Sequence, residues 1–163
     1  AGLEVSLADC ETIIRNLKLG YPRLQRWQEE IKKRAGFRKY TETWLGRRRN
    51  IPEISSSKWS KKSFAERIAM NTPIQGTAAD ILKLALGRII RGLPERPWLC
   101  PILQIHDELV FLLPENRLKE AVIFIKNCME TRPFDVFSVP IIAEASSGKR
   151  FGELHELEVT ELV

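Results

Sequence analysis

Cysteine is scarce in this chain of 163 residues: Cys10, Cys100 and Cys128 are the whole complement. They stand far apart and without metal-ligand spacing, which argues against a disulfide framework or a zinc ribbon and leaves buried thiols as the expectation. Long apolar runs are also missing. No stretch approaches the roughly 20 residues that a membrane-spanning helix needs, and the first residues lack a signal-peptide pattern. No membrane partner is therefore expected, and an intracellular location is the default. Internal repeats and low-complexity segments are absent too, which sets solenoids and disordered tails aside.

What is present suits a globular protein: 44% hydrophobic and 29% charged residues, with length enough for a proper core. The net charge of +5 is a mild hint of an anionic partner. Its distribution says more. Residues 15–67 hold 16 Lys and Arg against 5 Glu, a balance of +11, which leaves −6 for the rest. A segment so lopsided is an electrostatic footprint for phosphates, although a solvated lysine-rich helical face explains part of the excess.

Taken in order, Ser6 and Asp9 form a helix-cap pattern, and Leu7, Cys10, Ile13, Ile14 and Leu17 recur at helical spacing, predicting a helix over 7–18 that Gly20 ends. Pro22 suits a first helical position, Leu24, Trp27 and Ile31 make a stripe, and Gly36 is the expected stop. Phe37 to Trp44 reads as strand, and residues 38–51 as a small hairpin whose turn carries Arg47, Arg48 and Arg49. Three guanidiniums at one turn suit phosphate oxygens, or else an acidic patch of the same protein. Two helices are expected over 61–92, with Phe64, Ile68 and Ala69 on the first and Ile81, Leu82, Ala85, Ile89 and Ile90 on the second. Pro73 would open the second, with Thr72 as cap and Gln75 reaching back in a capping box. Arg67, Asn71 and Gln75 follow one another at intervals of four, a row that donates well to base edges and sugars, beside Gly76, Thr77, Ala78 and Ala79, small enough for a close backbone approach.

Residues 101–113 organise the remainder. Ile102 to Ile105 and Leu109 to Leu113 are apolar runs split by His106, Asp107 and Glu108 and closed by Pro101 and Pro114, the pattern of a hairpin of buried strands with acids at its tip. A carboxylate so held suits a metal ligand; equally, tight turns favour Asp because it bonds its own backbone. A helix over 116–130 should cover one face of the sheet, Val139 to Ala145 should be a further strand beside the hairpin, and the acidic stretch from Glu153 to Val163 should fray.

Three blocks together resemble the carboxy-terminal part of a family A DNA polymerase: Thr43-Trp44-Leu45-Gly46-Arg47-Arg48-Arg49 with Ile51-Pro52 behind it; Glu66 through Asp80, which reads Glu-Arg-Ile-Ala-Met-Asn-Thr-Pro-Ile-Gln-Gly-Thr-Ala-Ala-Asp; and Leu103-Gln104-Ile105-His106-Asp107-Glu108-Leu109-Val110. The resemblance implies an α+β fold, with a palm-type antiparallel sheet and packed helices over 61–163 after a helical and hairpin portion of the fingers over 1–60. It implies that Asp107 is one of two palm aspartates sharing Mg²⁺ ions, in chemistry that takes two such ions about 3.5–4 Å apart. Glu108 would support metal or primer positioning, and His106 and Gln104 would lie near the primer end. Arg67, Asn71 and Gln75 would contact sugars, the minor groove or the templating position, and Arg47, Arg48 and Arg49 the backbone phosphates. Primer-template DNA and a deoxynucleoside triphosphate are the implied partners, in the cytoplasm or nucleoid of a bacterial or phage-infected cell, or in an organelle.

The family's other aspartate motif and its nucleotide-gripping helix do not occur in these residues. The chain is therefore expected to be inactive alone and to be completed by an upstream segment, joined covalently or as a separate subunit. Gly148-Lys149-Arg150-Phe151-Gly152 departs from the family's usual Gly, acidic residue and Trp. Two other readings stand beside this one: a single-subunit RNA polymerase, and a non-catalytic DNA-binding subunit that keeps the palm shape.

Overall fold

A computed structural model describes residues 6–157. The architecture is α+β, with helices alternating with short antiparallel ribbons, and it divides into two compact units, residues 1–77 and 78–163. No helix among the described residues is long and apolar enough to cross a membrane.

In the first unit, α1 (Leu7–Gly20) begins with the expected capping box: the Asp9 N–H donates to Ser6 Oγ at 3.2 Å, and the Ser6 N–H donates to Asp9 Oδ2 at 3.3 Å. None of its residues is buried. Pro22 opens α2 (Pro22–Arg38) as expected. Gly36 does not stop it, and Phe37 is helical rather than extended. The helix ends at Lys39, which takes the left-handed conformation (φ 62°) that glycine usually supplies. Its ammonium donates to the Gly36 carbonyl at 2.6 Å and also meets Ser55 Oγ, so a lysine serves the helix end where a glycine was expected.

The ribbon that follows is shorter than predicted. β1 (Tyr40–Glu42) pairs antiparallel with β2 (Arg48–Asn50), in the register Tyr40 with Asn50 and Glu42 with Arg48. Gly46, at φ 83°, makes the intervening turn possible, and its N–H donates to the Thr43 carbonyl at 3.0 Å. Ile51, Ile54, Ala35, Ala65 and Ala69 form the core, with Ile31 and Ile68 against it. Alanines where α2 and α3 (Trp59–Asn71) face this core let large Ile51 fill the space; burying such a side chain is worth about 1.5–3 kcal/mol. Phe64, expected on the apolar face, is 56% exposed.

Thr72 is not a cap. It lies in right-handed helical conformation, buried, with its hydroxyl donating to the Ile68 carbonyl at 2.8 Å. Residues Thr72–Gly76 form a π turn between α3 and α4 (Thr77–Gly92). Pro73 explains the irregularity. It has no N–H to give the Ala69 carbonyl, and the Thr41 hydroxyl donates to that oxygen instead, at 3.2 Å.

In the second unit, Ala85 and Ile89 of α4 are buried, with Leu99, Ala121, Val122 and Ala143, whereas Ile90 is 52% exposed. α5 (Leu118–Glu130) begins after a short 3-10 turn over Glu115–Arg117. The Arg88 guanidinium closes its far end, donating to the carbonyls of Cys128, Thr131 and Arg132 at 3.1–3.2 Å. Residues 139–145 do not form the expected strand. The Ala143 N–H donates to Glu130 Oε1 at 2.9 Å and its carbonyl accepts from the Lys126 ammonium, so α5 side chains occupy the groups a sheet would use. The late ribbon is β5 (Ser146–Ser147) with β6 (His155–Glu156). Of the acidic stretch 153–163 expected to fray in part, His155–Glu156 pairs as β6, and residues 158–163 fall outside the described residues. Cys10 and Cys100 are exposed rather than buried, and all three thiols are free.

Candidate functional site

β3 (Cys100–Ile105) and β4 (Glu108–Leu112) pair antiparallel, and Ile105 stands opposite Glu108. The loop is therefore two residues, His106 and Asp107, and Glu108 belongs to the strand rather than to the tip. His106 has φ 53°. Two-residue hairpin loops want a positive φ, because it matches the right-handed twist of the strands, and His is one of the few side chains that tolerate it. The ribbon is not the buried element that its apolar sequence suggests: Ile102, Leu103 and Leu112 are 49%, 51% and 65% exposed. Pro101 lies within β3 opposite Phe111, and a bulge follows before Leu103, where proline withholds its ladder hydrogen bond.

The tip leaves Asp107 exposed, and its carboxylate takes part in no hydrogen bond or ion pair among the described residues. Self-bonding of Asp in a tight turn is thus not what this side chain does. Gln104, His106 and Glu108 are likewise exposed on the same ribbon end. The three polar residues expected around the carboxylate are together with it, within the span of one turn and its flanking strand positions.

The other expected set lies in the first unit. Arg67, Asn71 and Gln75 are all exposed, and Gln75 makes no capping bond. In a regular α-helix, residues four apart drift around the axis by about 40° at each step. The wider π turn between Asn71 and Gln75 reverses that drift, so the row stays on one side. Arg67 also lies over the Phe64 ring, 5.7 Å from its centroid.

Arg48 and Arg49 are strand residues, and Arg47 alone of the three ends the turn. Arg48 is partly committed within the protein, 3.7 Å from Glu42 and 4.7 Å from the Tyr40 ring centroid. The acidic-neighbour explanation therefore holds for Arg48. The turn itself is pressed against the π turn: the Trp44 N–H donates to Thr77 Oγ1 at 2.9 Å, and a Cβ at Gly76 would lie 2.5 Å from Thr43 Cγ2. This is the close approach that the small residues foretold, made by the protein's own hairpin. The contact sets the arginine ribbon beside the turn that carries Gln75.

Sequence reasoning missed the positioning role of Thr41, Thr43 and Thr77, all buried. Thr41 and Thr43 sit two apart, the period of one strand face, and that alternation was the available signal. Among titratable groups, Cys128 departs from its ordinary behaviour. Burial pushes its thiol up, and nearby Arg88, Arg96 and Arg91 pull the other way.

The fold is similar to part of a polymerase domain. The structure is similar, at TM-score 0.77 and 30% identity over 85% of this chain and 24% of the other, to the POL domain of Pol1 from M. smegmatis, solved in complex with DNA primer-template and dNTP. The sequence model for DNA polymerase family A matches residues 1–153, and the chain belongs to that family. Among curated relatives, thermostable DNA polymerase I of Thermus filiformis is 36% identical over 90% of this chain, and DNA polymerase I of Streptococcus pneumoniae serotype 4 is 34% identical over 93%. The chain spans 17% of the length of each of these relatives.

Proposed function

We propose that this chain is the distal part of a template-directed DNA polymerase: it holds primer-template DNA and contributes one metal-binding carboxylate to nucleotidyl transfer. The observation that carries the reading is Asp107, exposed at the apex of the ribbon and committed to no partner among the described residues. The similar structure in complex with DNA primer-template and dNTP supports the choice of partners.

The donor set fits a share in a magnesium site. Asp107, with Glu108 next to it, offers the hard oxygens that Mg²⁺ prefers, and this ion keeps several waters and takes only one or two carboxylates from protein. No group of three or more ligating side chains occurs among the described residues. The remaining ligands come from outside this set, and so does the second carboxylate. When bound, the ions stabilise the attacking and leaving oxygens of phosphoryl transfer. The chain's own residues do the positioning. His106 and Gln104 orient the primer end beside Asp107. Arg67, Asn71 and Gln75 line the minor groove, whose acceptors are nearly the same for every base pair, so grip does not depend on sequence. Arg47, Arg48 and Arg49 hold backbone phosphates. In this reading residues 1–60 belong to the fingers and 61–163 to the palm.

The test is primer extension with Mg²⁺ and nucleotides, with and without the upstream polymerase portion of a relative. Extension is expected only in the mixture, and lost in Asp107→Asn. Extension that survives this substitution sinks the assignment. Duplex binding without extension in any combination turns the reading towards a non-catalytic subunit.

A further inference from the structure

The first unit contains a cleft of about 610 Å³ on which the proposed polymerase chemistry makes no demand. Its charged lining is Lys32 and Lys33 of α2, Lys62 of α3, and Glu29 and Glu66. None of the three ammonium groups makes an ion pair or hydrogen bond among the described residues. Glu29 is already engaged by Gln25, whose amide donates to it at 3.1 Å. The floor is fixed, because Lys39 bonds both Gly36 and Ser55, two of its lining residues. Local electrostatics make Lys62 unexpected. Lys62 stands in the opening turns of α3, beside Lys58 and Lys61, where the helix dipole disfavours cations; that first turn has no acid and no side-chain cap.

Two aromatic side chains flank the lysines. Phe37 lies four residues beyond Lys33 on α2 and is 88% exposed; Trp59 lies three residues before Lys62 on α3 and is 81% exposed. These are the intervals at which helical side chains are neighbours. Free ammonium groups in a recess, with exposed aromatic rings one helical turn from two of them, are the two components of a single-strand nucleic-acid site: cations track the phosphates, and any base stacks on a ring. A small anion would need the cations and not the rings. We infer that this cleft binds an unpaired nucleic-acid strand through Lys32, Lys33 and Lys62, with bases stacked on Phe37 and Trp59. The inference requires neither Asp107 nor a metal.

The experiment measures binding of a fluorescein-labelled oligothymidylate of about 12 nucleotides, a length within single-strand site sizes, beside a duplex of equal length. Lys33 and Lys62 are exposed, so the double variant Lys33→Gln, Lys62→Gln is expected to fold, as circular dichroism would verify. It should weaken oligothymidylate binding, leave duplex binding unchanged, and shallow the single-strand salt slope by about 0.7 per lysine. Trp59→Ala should cost about tenfold in single-strand affinity. Trp59→Phe should keep the affinity and lose the tryptophan quenching that accompanies binding. Unchanged oligothymidylate binding in the double variant overturns the inference. So does an equal loss for the duplex, which would make the cleft a general phosphate surface, or displacement of the oligonucleotide by equimolar pyrophosphate, which would make it a small-anion site. Asp107→Asn should leave oligothymidylate binding intact, so loss of extension and loss of single-strand binding are read separately.

Discussion

Thr77 accepts the Trp44 backbone N–H at 2.9 Å through the same hydroxyl that donates to the Pro73 carbonyl at 2.5 Å. One buried oxygen therefore fastens the arginine ribbon to the π turn. Thr77→Val keeps the shape and removes both bonds, stranding a donor and an acceptor, and should cost about 1–3 kcal/mol in urea unfolding. Thr77→Ser should keep most of the stability. A loss in Thr77→Ser with none in Thr77→Val would point to packing of the methyl group instead.

The contact between Gly76 and Thr43 allows a sharper test. Gly76→Ala places a methyl group 2.5 Å from Thr43 Cγ2 and should destabilise by about 1–3 kcal/mol through overpacking. Thr43→Ser deletes that Cγ2 and retains the oxygen that accepts the Arg47 N–H at 3.2 Å. The double variant should therefore recover most of the loss, and a double-mutant cycle measures how much.

At the hairpin tip, backbone and chemistry separate. His106→Gly relieves a side chain of positive φ and should gain up to about 1 kcal/mol, whereas His106→Val should lose about 1–2 kcal/mol because a branched Cβ fits poorly there. Asp107→Asn, at an exposed and unbonded position, should leave the urea midpoint unmoved while extension falls by at least about 100-fold.

The three neighbouring arginines should differ. Arg49→Gln should shallow the salt slope of duplex binding by about 0.9, one phosphate's worth, and Arg47→Gln should shallow it as well. Arg48→Gln should change it less, since Glu42 and the Tyr40 ring already hold that guanidinium. A slope indifferent to all three would remove the ribbon from the interface.

Thiol labelling reads the second unit. Iodoacetamide should modify exposed Cys10 and Cys100 first and Cys128 last, with Cys128 needing pH above the ordinary thiol range. The sign for stability follows. The folded state keeps the Cys128 proton longer than the unfolded chain does, so this contribution is complete below the unfolded thiol pKa and is lost as pH rises through the raised folded value. Cys128→Ala should flatten that alkaline decline.

Much of this was legible in the sequence, wherever the cause was local. Ser6 with Asp9, Pro22 at a helix start, and the two ribbons around Gly46 and Asp107 all follow from caps and turns acting within a few residues. The misses share another cause, because each depends on a partner distant in the chain. Thr72 looked like a cap, but its neighbour Pro73 left a carbonyl that Thr41 could satisfy, and the helix ran on. Val139 to Ala145 had strand composition, but Lys126 and Glu130 of α5 took the Ala143 backbone first. Lys39 replaced the expected stop at Gly36 because its long arm reaches Ser55. Of the candidate site, the motif marked Asp107, Gln75 and the arginines. It did not reveal that Glu108 is a strand residue, which only the register shows.

Pro73 has one more effect, and it concerns a hydrogen atom the ring does not carry. Give position 73 an amide, as Pro73→Ala would, and the oxygen of Ala69 finds a donor one turn away. Thr41 is then left without an acceptor, and the irregular turn has no reason to exist. The rod straightens, the side-chain row on it begins to spiral, and the first strand of the little hairpin comes unfastened. A residue usually regarded as a helix breaker is here the reason that two remote segments are stitched together.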